Sequence, residues 1–150
     1  MAAPLAAWLI AKETTGSARL AAQENRRYES RLDVYDEAME LAYHLQAMCI
    51  RSTEAFDNKS GVKLPSWVID AEEVLLVAAR LEVRGSPAAA ALLAQTARAA
   101  GEFAGLWADL EPAAGRPSDE ARKRIHAAKD VVIAKRVELG TVVRSDLGHD

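Results

Sequence analysis

Leu93, Thr96, Ala100, Phe103, Trp107 and Leu110 follow one another at spacings of three, four, three, four and three. That is the period of a helix pressing one narrow seam against neighbouring helices. Several members of the seam are small, so backbones must approach closely there. The rest of the chain agrees. Half of its 150 residues are hydrophobic but only 5% are aromatic, and alanine, the strongest helix former, supplies much of the apolar share. Glycine and proline are sparse outside three short regions. The fold class that follows is all-α, an irregular antiparallel up-and-down four-helix bundle with a long first helix. The chain has the length of one ordinary domain. The organisation expected is an apolar segment over residues 1–16, one bundle domain over 17–147 and a tail over 148–150.

The first helix is expected over residues 17–52, with Tyr28, Leu32, Tyr35, Met39, Ala42, Leu45 and Cys49 on its apolar face and Ala38, Leu41 and Met48 flanking. Between residues 18 and 27 the stripe gives way to charge, which suggests a stalk. Residues 53–63 are polar, contain Gly61 and read as a loop with Phe56 tucked in. Pro65 or Ser66 is expected to open a second helix that ends at Gly85, burying Trp67 or Val68, Ala71, Leu75, Ala78 and Leu81. A strand over residues 73–84 is the competing reading, because β-branched residues concentrate there. Ser86-Pro87 starts the third helix as N-cap and first-turn proline, and that helix runs to Glu111. After a connector over residues 112–117, Ser118 caps the fourth helix, with Asp119 and Glu120 suited to its dipole. Ala121, Ile125, Ala128 and Val132 share one of its faces, and it ends at Gly140 or runs on to Leu147.

Residues 1–11 are uncharged and apolar, about half the ~20 residues needed to span a bilayer. No basic region precedes them, as a signal peptide requires. Lys12, Arg19, Arg26 and Arg27 follow, the flank of a cytoplasmic membrane anchor. The segment therefore reads as a docked or frayed terminus, or else as a remnant of an anchor. Leu5, Trp8, Leu9 and Ile10 are its candidate contact residues. The expected contact is with protein, in cis or in a dimer, and peripheral membrane contact is the alternative.

Three segments, RRYESRLDVYDEA (26–38), LEVRGSP (81–87) and RIHAAKDVVIAKRVELG (124–140), resemble a loose group of small, uncharacterised helical proteins of high-GC actinobacteria and their phages. The resemblance implies the helical fold over most of residues 18–140 and implies no activity. Members of that group often carry an N-terminal membrane helix ahead of a cytosolic bundle. This chain departs from them there, since its apolar run is short.

No catalytic set emerges from the residues. Bundle di-iron sites need Glu-x-x-His on facing helices. Here Glu37, Glu40 and His44 have the wrong order, and Lys123 stands three residues before His126. There is no Gly-x-Ser-x-Gly elbow and no phosphate loop. Cys49 is the only cysteine, so no intrachain disulfide forms. It lies on the apolar stripe, where a thiol packs as an inert small hydrophobe, and His44 points well away from it. No cofactor, metal or enzymatic activity is expected. With a net charge of −3 there is no global attraction to nucleic acid. Locally, Arg122, Lys129 and Arg136 recur every seven residues, broadened by Lys123, His126 and Lys135, while Asp33, Asp36, Glu37 and Glu40 form an acidic band. The basic strip is a candidate surface for an acidic partner, with Arg122, Lys129, Arg136 and Lys123 as its residues. For nucleic acid it is interrupted by Asp130 and Glu138 and lacks interleaved aromatics. The function expected is a cytoplasmic, non-enzymatic interaction protein that docks a protein partner or self-associates. A nucleic-acid-binding regulator using the fourth helix is one alternative. A small-molecule sensor with a pocket near Tyr35, Tyr43 and Trp107 is the other.

Overall fold

A computed structural model describes residues 3–57, 70–110 and 117–148. They form four helices: α1 (Ala3–Asp57), α2 (Ala71–Arg84), α3 (Pro87–Leu110) and α4 (Asp119–Asp146). No strand occurs among the described residues, so the strand reading of residues 73–84 is overturned in favour of α2. The chain divides into two compact units, Met1–Asp33 and Val34–Asp150.

The larger unit is the bundle. The starts of α2, α3 and α4 each have a local cause. Asp70 Oδ1 accepts from the backbone N–H groups of Glu72 and Glu73 at 3.0 and 3.1 Å and opens α2. Ser86 Oγ accepts from Ala89 N at 3.1 Å ahead of Pro87, and Ser118 Oγ accepts from Ala121 N at 3.1 Å. These caps satisfy N–H groups that the helix itself leaves without partners. Between α2 and α3 only Gly85 and Ser86 remain. Gly85 N–H closes α2 on Leu81 O at 2.9 Å. A Cβ at Gly85 would stand 3.0 Å from that oxygen and 3.2 Å from the Tyr35 ring, so a side chain there must push a neighbour aside.

Side-chain bonds reveal the helix directions. Between α1 and α4, Tyr35 meets Asp146, Gln46 meets Arg136 and Asp57 meets His126. One sequence rises as the other falls, so the two helices are antiparallel. Glu37 meets Arg80 and the Tyr35 ring lies beside Gly85, so α2 also runs opposite to α1. Phe56 lies against Trp107 at the end of α1 where Asp57 also sits, so α3 runs with α1. The order is up, down, up, down.

Two apolar clusters fill the bundle. One joins Val34, Tyr35, Ala38 and Ala42 of α1 to Val77 and Leu81, to Ala89, Ala90 and Leu93, and to Leu139 and Val143. The other joins Leu45 and Cys49 to Ala99, Ala100 and Phe103 and to Ile125 and Val132. Among the described residues α2 contributes only to the first. It has 14 residues against 24 in α3, roughly 21 Å against 36 Å at 1.5 Å per residue. Alanines meeting in both clusters allow the close approaches that the α3 spacing predicts. Leu93, Thr96, Ala100 and Phe103 are all buried, whereas Trp107 and Leu110 are half-buried.

Several boundaries differ from the sequence expectation. The first helix begins at Ala3 rather than at residue 17, with no break at residue 16, and runs to Asp57 rather than 52. Residues 53–57 are thus the last turn of α1, and Phe56 is tucked in from a helix. Buried Thr53 bonds its hydroxyl back to Cys49 O at 2.8 Å, which suits that turn. Tyr28 is exposed and Leu32 only half-buried. The second helix starts at Ala71 under Asp70; Pro65, Ser66, Trp67 and Val68 lie outside the described residues, as does Glu111. In α4 the helix passes through Gly140 to Asp146 because Leu139 and Val143 continue its buried stripe.

In the smaller unit, residues 3–33 are helical, and the side chains described from Leu9 to Glu29 are exposed. Thr14 and Thr15 return their hydroxyls to Ile10 O and Ala11 O at 2.8 and 2.7 Å, so both serve the helix backbone. Among the described residues no helix is long and apolar enough to cross a membrane.

Candidate functional site

The seven-residue basic series of α4 falls on the seam with α1. Arg122, Lys129 and Arg136 each precede a buried residue, Ile125, Val132 and Leu139, by three positions. They therefore occupy the alternate position of the same heptad. Arg136 donates from Nε to Gln46 Oε1 at 2.6 Å and from a terminal nitrogen to the Tyr43 hydroxyl at 3.3 Å. Its guanidinium carbon also stands 4.7 Å from the Tyr43 ring centroid. Lys129 has a side chain only 20% exposed and lies 3.6 Å from Asp130. Arg122 is half-buried, with its Nε buried and, among the described residues, without a hydrogen-bond acceptor. Such placement suits side chains whose apolar stems pack while their charges reach the edge. Of the four basic candidates only Lys123 is fully exposed.

His126 closes the same seam. Its Nε2 is 2.9 Å from Asp57 Oδ2, and its Nδ1 is 3.4 Å from Lys129 Nζ. Both ring nitrogens are occupied, and neither addresses a hydroxyl or thiol, so the pair ties α4 to the end of α1. Burial pushes the Cys49 thiol up to about 12, keeping it protonated and unreactive. Among the described residues no three His, Cys, Asp or Glu side chains gather to hold a metal.

The aromatic candidates for a pocket do not meet. Tyr35 is buried at one end of the bundle, donating its hydroxyl to Asp146 Oδ2 at 2.7 Å. The same oxygen accepts from Ser86 Oγ at 2.6 Å, so one carboxylate links α1, α4 and the α2–α3 corner. Trp107 stands with Phe56 and Phe103, at centroid distances of 5.3 and 6.4 Å. Its buried Nε1 has no acceptor among the described residues. Tyr43 borders a small open cleft with Arg136, Gly140 and Arg144 that neither of the other two lines.

The unexpected surface is on α2. Its buried face is Val74, Val77 and Leu81; Leu75, expected in the core, is 69% exposed, and Ala71 is exposed too. Leu76 and Val83 are also exposed, at 52% and 84%. At 100° per residue, Leu75, Ala79, Val83 and Leu76 fall within an arc of about 100° opposite the core stripe. That second face is apolar apart from Glu72 at the helix start, and among the described residues only the first is covered. Glu72 and Glu73 stand in its first turn and Arg84 in its last. Arg80 at the flank holds Glu37 through one nitrogen at 2.6 and 2.8 Å. The signal was the unbroken run Val74-Leu75-Leu76-Val77, which no single helical face can bury. On the N-terminal unit Leu9 and Ile10 are 53% and 64% exposed; the side chains of Leu5 and Trp8 lie outside the described residues. Compared with family models, with curated proteins and with solved structures, the chain finds no match.

Proposed function

We propose that the chain is a non-enzymatic docking protein that receives a protein partner on the outer face of α2. One observation carries this reading: Leu75, Leu76 and Val83 are exposed together on a helix that already buries its opposite face. Covering them stabilises a complex by up to about 1.5–3 kcal/mol for each side chain fully buried, before ordering costs. The engaged state of His126 and the protonated, buried Cys49 thiol support a role without chemistry. The inward contacts of Arg136 and Lys129 count against the basic series of α4 as the docking surface, for nucleic acid or for protein.

The test is site-specific photo-crosslinking in producing cells. A photoreactive residue at Leu76 should give a discrete adduct, absent when the probe is moved to exposed Glu102 on α3. The adduct should disappear in Leu75→Asp/Val83→Asp while circular dichroism stays helical. No adduct from Leu76, or the same adducts from Glu102, overturns the reading.

A further inference from the structure

We infer that the cleft between α1 and α4 at Tyr43 and Gly140 binds a small carboxylate with a compact apolar body. The inference is independent of the α2 face. The cleft holds about 200 Å³, and among the described residues no acidic side chain lines it. Gly140 stands one turn after Arg136 and one turn before Arg144, so a cation borders the glycine on each side. A Cβ at Gly140 would meet Met39 Cε at 3.6 Å and nothing nearer. The space over the glycine is therefore open, although alanine would suit a helix interior better. Met39, Val137 and Val143 supply the apolar lining.

Both guanidiniums are held by neutral acceptors. Arg136 donates to Gln46 Oε1 and to the Tyr43 hydroxyl and lies over the Tyr43 ring. Arg144 reaches back along α4 to within 3.5 Å of Thr141 Oγ1. Among the described residues neither pairs with a carboxylate. The acids that flank them on α4 are engaged elsewhere: Glu138 lies 3.5 Å from Lys135, and Asp146 accepts from Tyr35 and Ser86. Glu40, next to Met39 in sequence, does not line the cleft. The cleft is thus positive in a chain whose net charge is −3. The contacts that close the basic series of α4 to a macromolecule preorganise Arg136 for a small anion, since little ordering remains to be done on binding. A guanidinium recognises a carboxylate through paired N–H donors, and the bonds within the fold leave such donors on both arginines. The apolar lining selects an anion with a hydrocarbon body over a bare phosphate. A cavity of ~150 Å³ accepts a benzene ring, so a benzoate-sized ligand matches both the room and the walls.

The experiment is an NMR titration of the isotope-labelled full chain with benzoate, with neutral benzamide and inorganic phosphate as counterparts. Benzoate should shift the Gly140 amide and saturate with a Kd on the order of 1 mM, as suits so few contacts. Benzamide and phosphate should each bind about tenfold more weakly, the first for want of charge and the second for want of an apolar body. Arg136→Gln and Arg144→Gln should each weaken benzoate binding about tenfold, and the two together should abolish it. Among the described residues Arg144 bonds only exposed Thr141. Arg144→Gln should therefore keep the melting temperature, which separates a lost site from a lost fold. Should Arg136→Gln unfold, Gly140→Ala supplies a second break: the fold accepts its methyl group, which fills the floor of the cleft and should weaken binding several-fold. Leu75→Asp/Val83→Asp should bind benzoate as the unaltered chain does, so this inference and the docking reading fail separately. No shift at Gly140, benzamide or phosphate binding as well as benzoate, or binding unchanged in Arg144→Gln overturns the inference.

Discussion

Helices α2 and α4 are amphipathic in opposite ways. In α4 the cations Arg122, Lys129 and Arg136 alternate with Ile125, Val132 and Leu139 along one seam, so charge lies at the edge of the core where the sequence reading placed surface. In α2 the leucines at 75 and 76 face water and the valines at 74 and 77 face the core. A seven-residue recurrence of charge therefore marks a position relative to the seam, and long side chains allow that position to be the seam's own edge. Conversely, apolar residues in excess of one stripe mark a helix with two things to cover. The first case consumes charges inside the fold; the second leaves binding surface outside it.

The comparison breaks most readily at the core. Phe103→Ala should cost about 3–5 kcal/mol and Leu81→Ala about 2–5 kcal/mol. Leu75→Ala, one face away on α2, should change stability by no more than about 0.5 kcal/mol in a monomer. Urea unfolding at low concentration measures all three, and equal costs at positions 75 and 81 would end the two-face description. Next in size is the corner that fixes α2. Tyr35→Phe removes a hydrogen bond to a carboxylate and should cost about 1.5–3 kcal/mol. Gly85→Ala should cost a comparable amount, since its Cβ presses on Leu81 O and on the Tyr35 ring. The two losses should not add, because the residues touch.

Within the α4 seam the contrast sharpens at single positions. Arg136→Met forfeits its bonds to Gln46 and Tyr43 and should cost about 1 kcal/mol. Arg122→Met removes a buried Nε that has no acceptor among the described residues and should be neutral or stabilising. Thermal unfolding of the pair checks this, and equal losses would show that both cations serve the seam alike. The smallest effect belongs to Cys49. Its thiol is raised from 9.0 to about 12 by burial, so the unfolded chain loses that proton first. Stability from this group is complete below pH 9.0 and declines as pH rises from there toward 12. Relative to Cys49→Ala, the urea midpoint should hold from pH 7 to pH 8.5 and fall only above roughly pH 9. A difference that stays flat as the pH rises above 9.0 would place the thiol in water.

The parts legible in sequence were those where one local cause suffices. The α3 seam declared itself through spacing, and Ser86 and Ser118 declared two helix starts through cap chemistry. The four-helix count followed from them. Where two causes compete, the sequence was ambiguous. The run from Val74 to Val77 fits a stripe through 71, 75 and 78 as well as one through 74, 77 and 81; Asp70 and the neighbouring helices decide between them. The last turn of α1 looked like a loop because its residues are polar, yet Thr53 is buried by packing from elsewhere. The basic series looked like surface because charge is usually solvated, and the acceptors that draw Arg136 inward lie some ninety residues away, at Tyr43 and Gln46.

That dependence on distant partners is greatest at Asp146. Its carboxylate joins Tyr35 and Ser86 across 111 and 60 residues of chain, and Leu139 and Val143 enter the same cluster from the same helix. During synthesis, helices α1 to α3 emerge with the α2–α3 corner lacking this acceptor. The corner is locked only after the last turn of α4 has been made. Contacts of such long separation form late and slow the final closure. Until then Tyr35, Leu81 and Leu93 lack the α4 side chains that bury them, so the nascent bundle is open along one whole side.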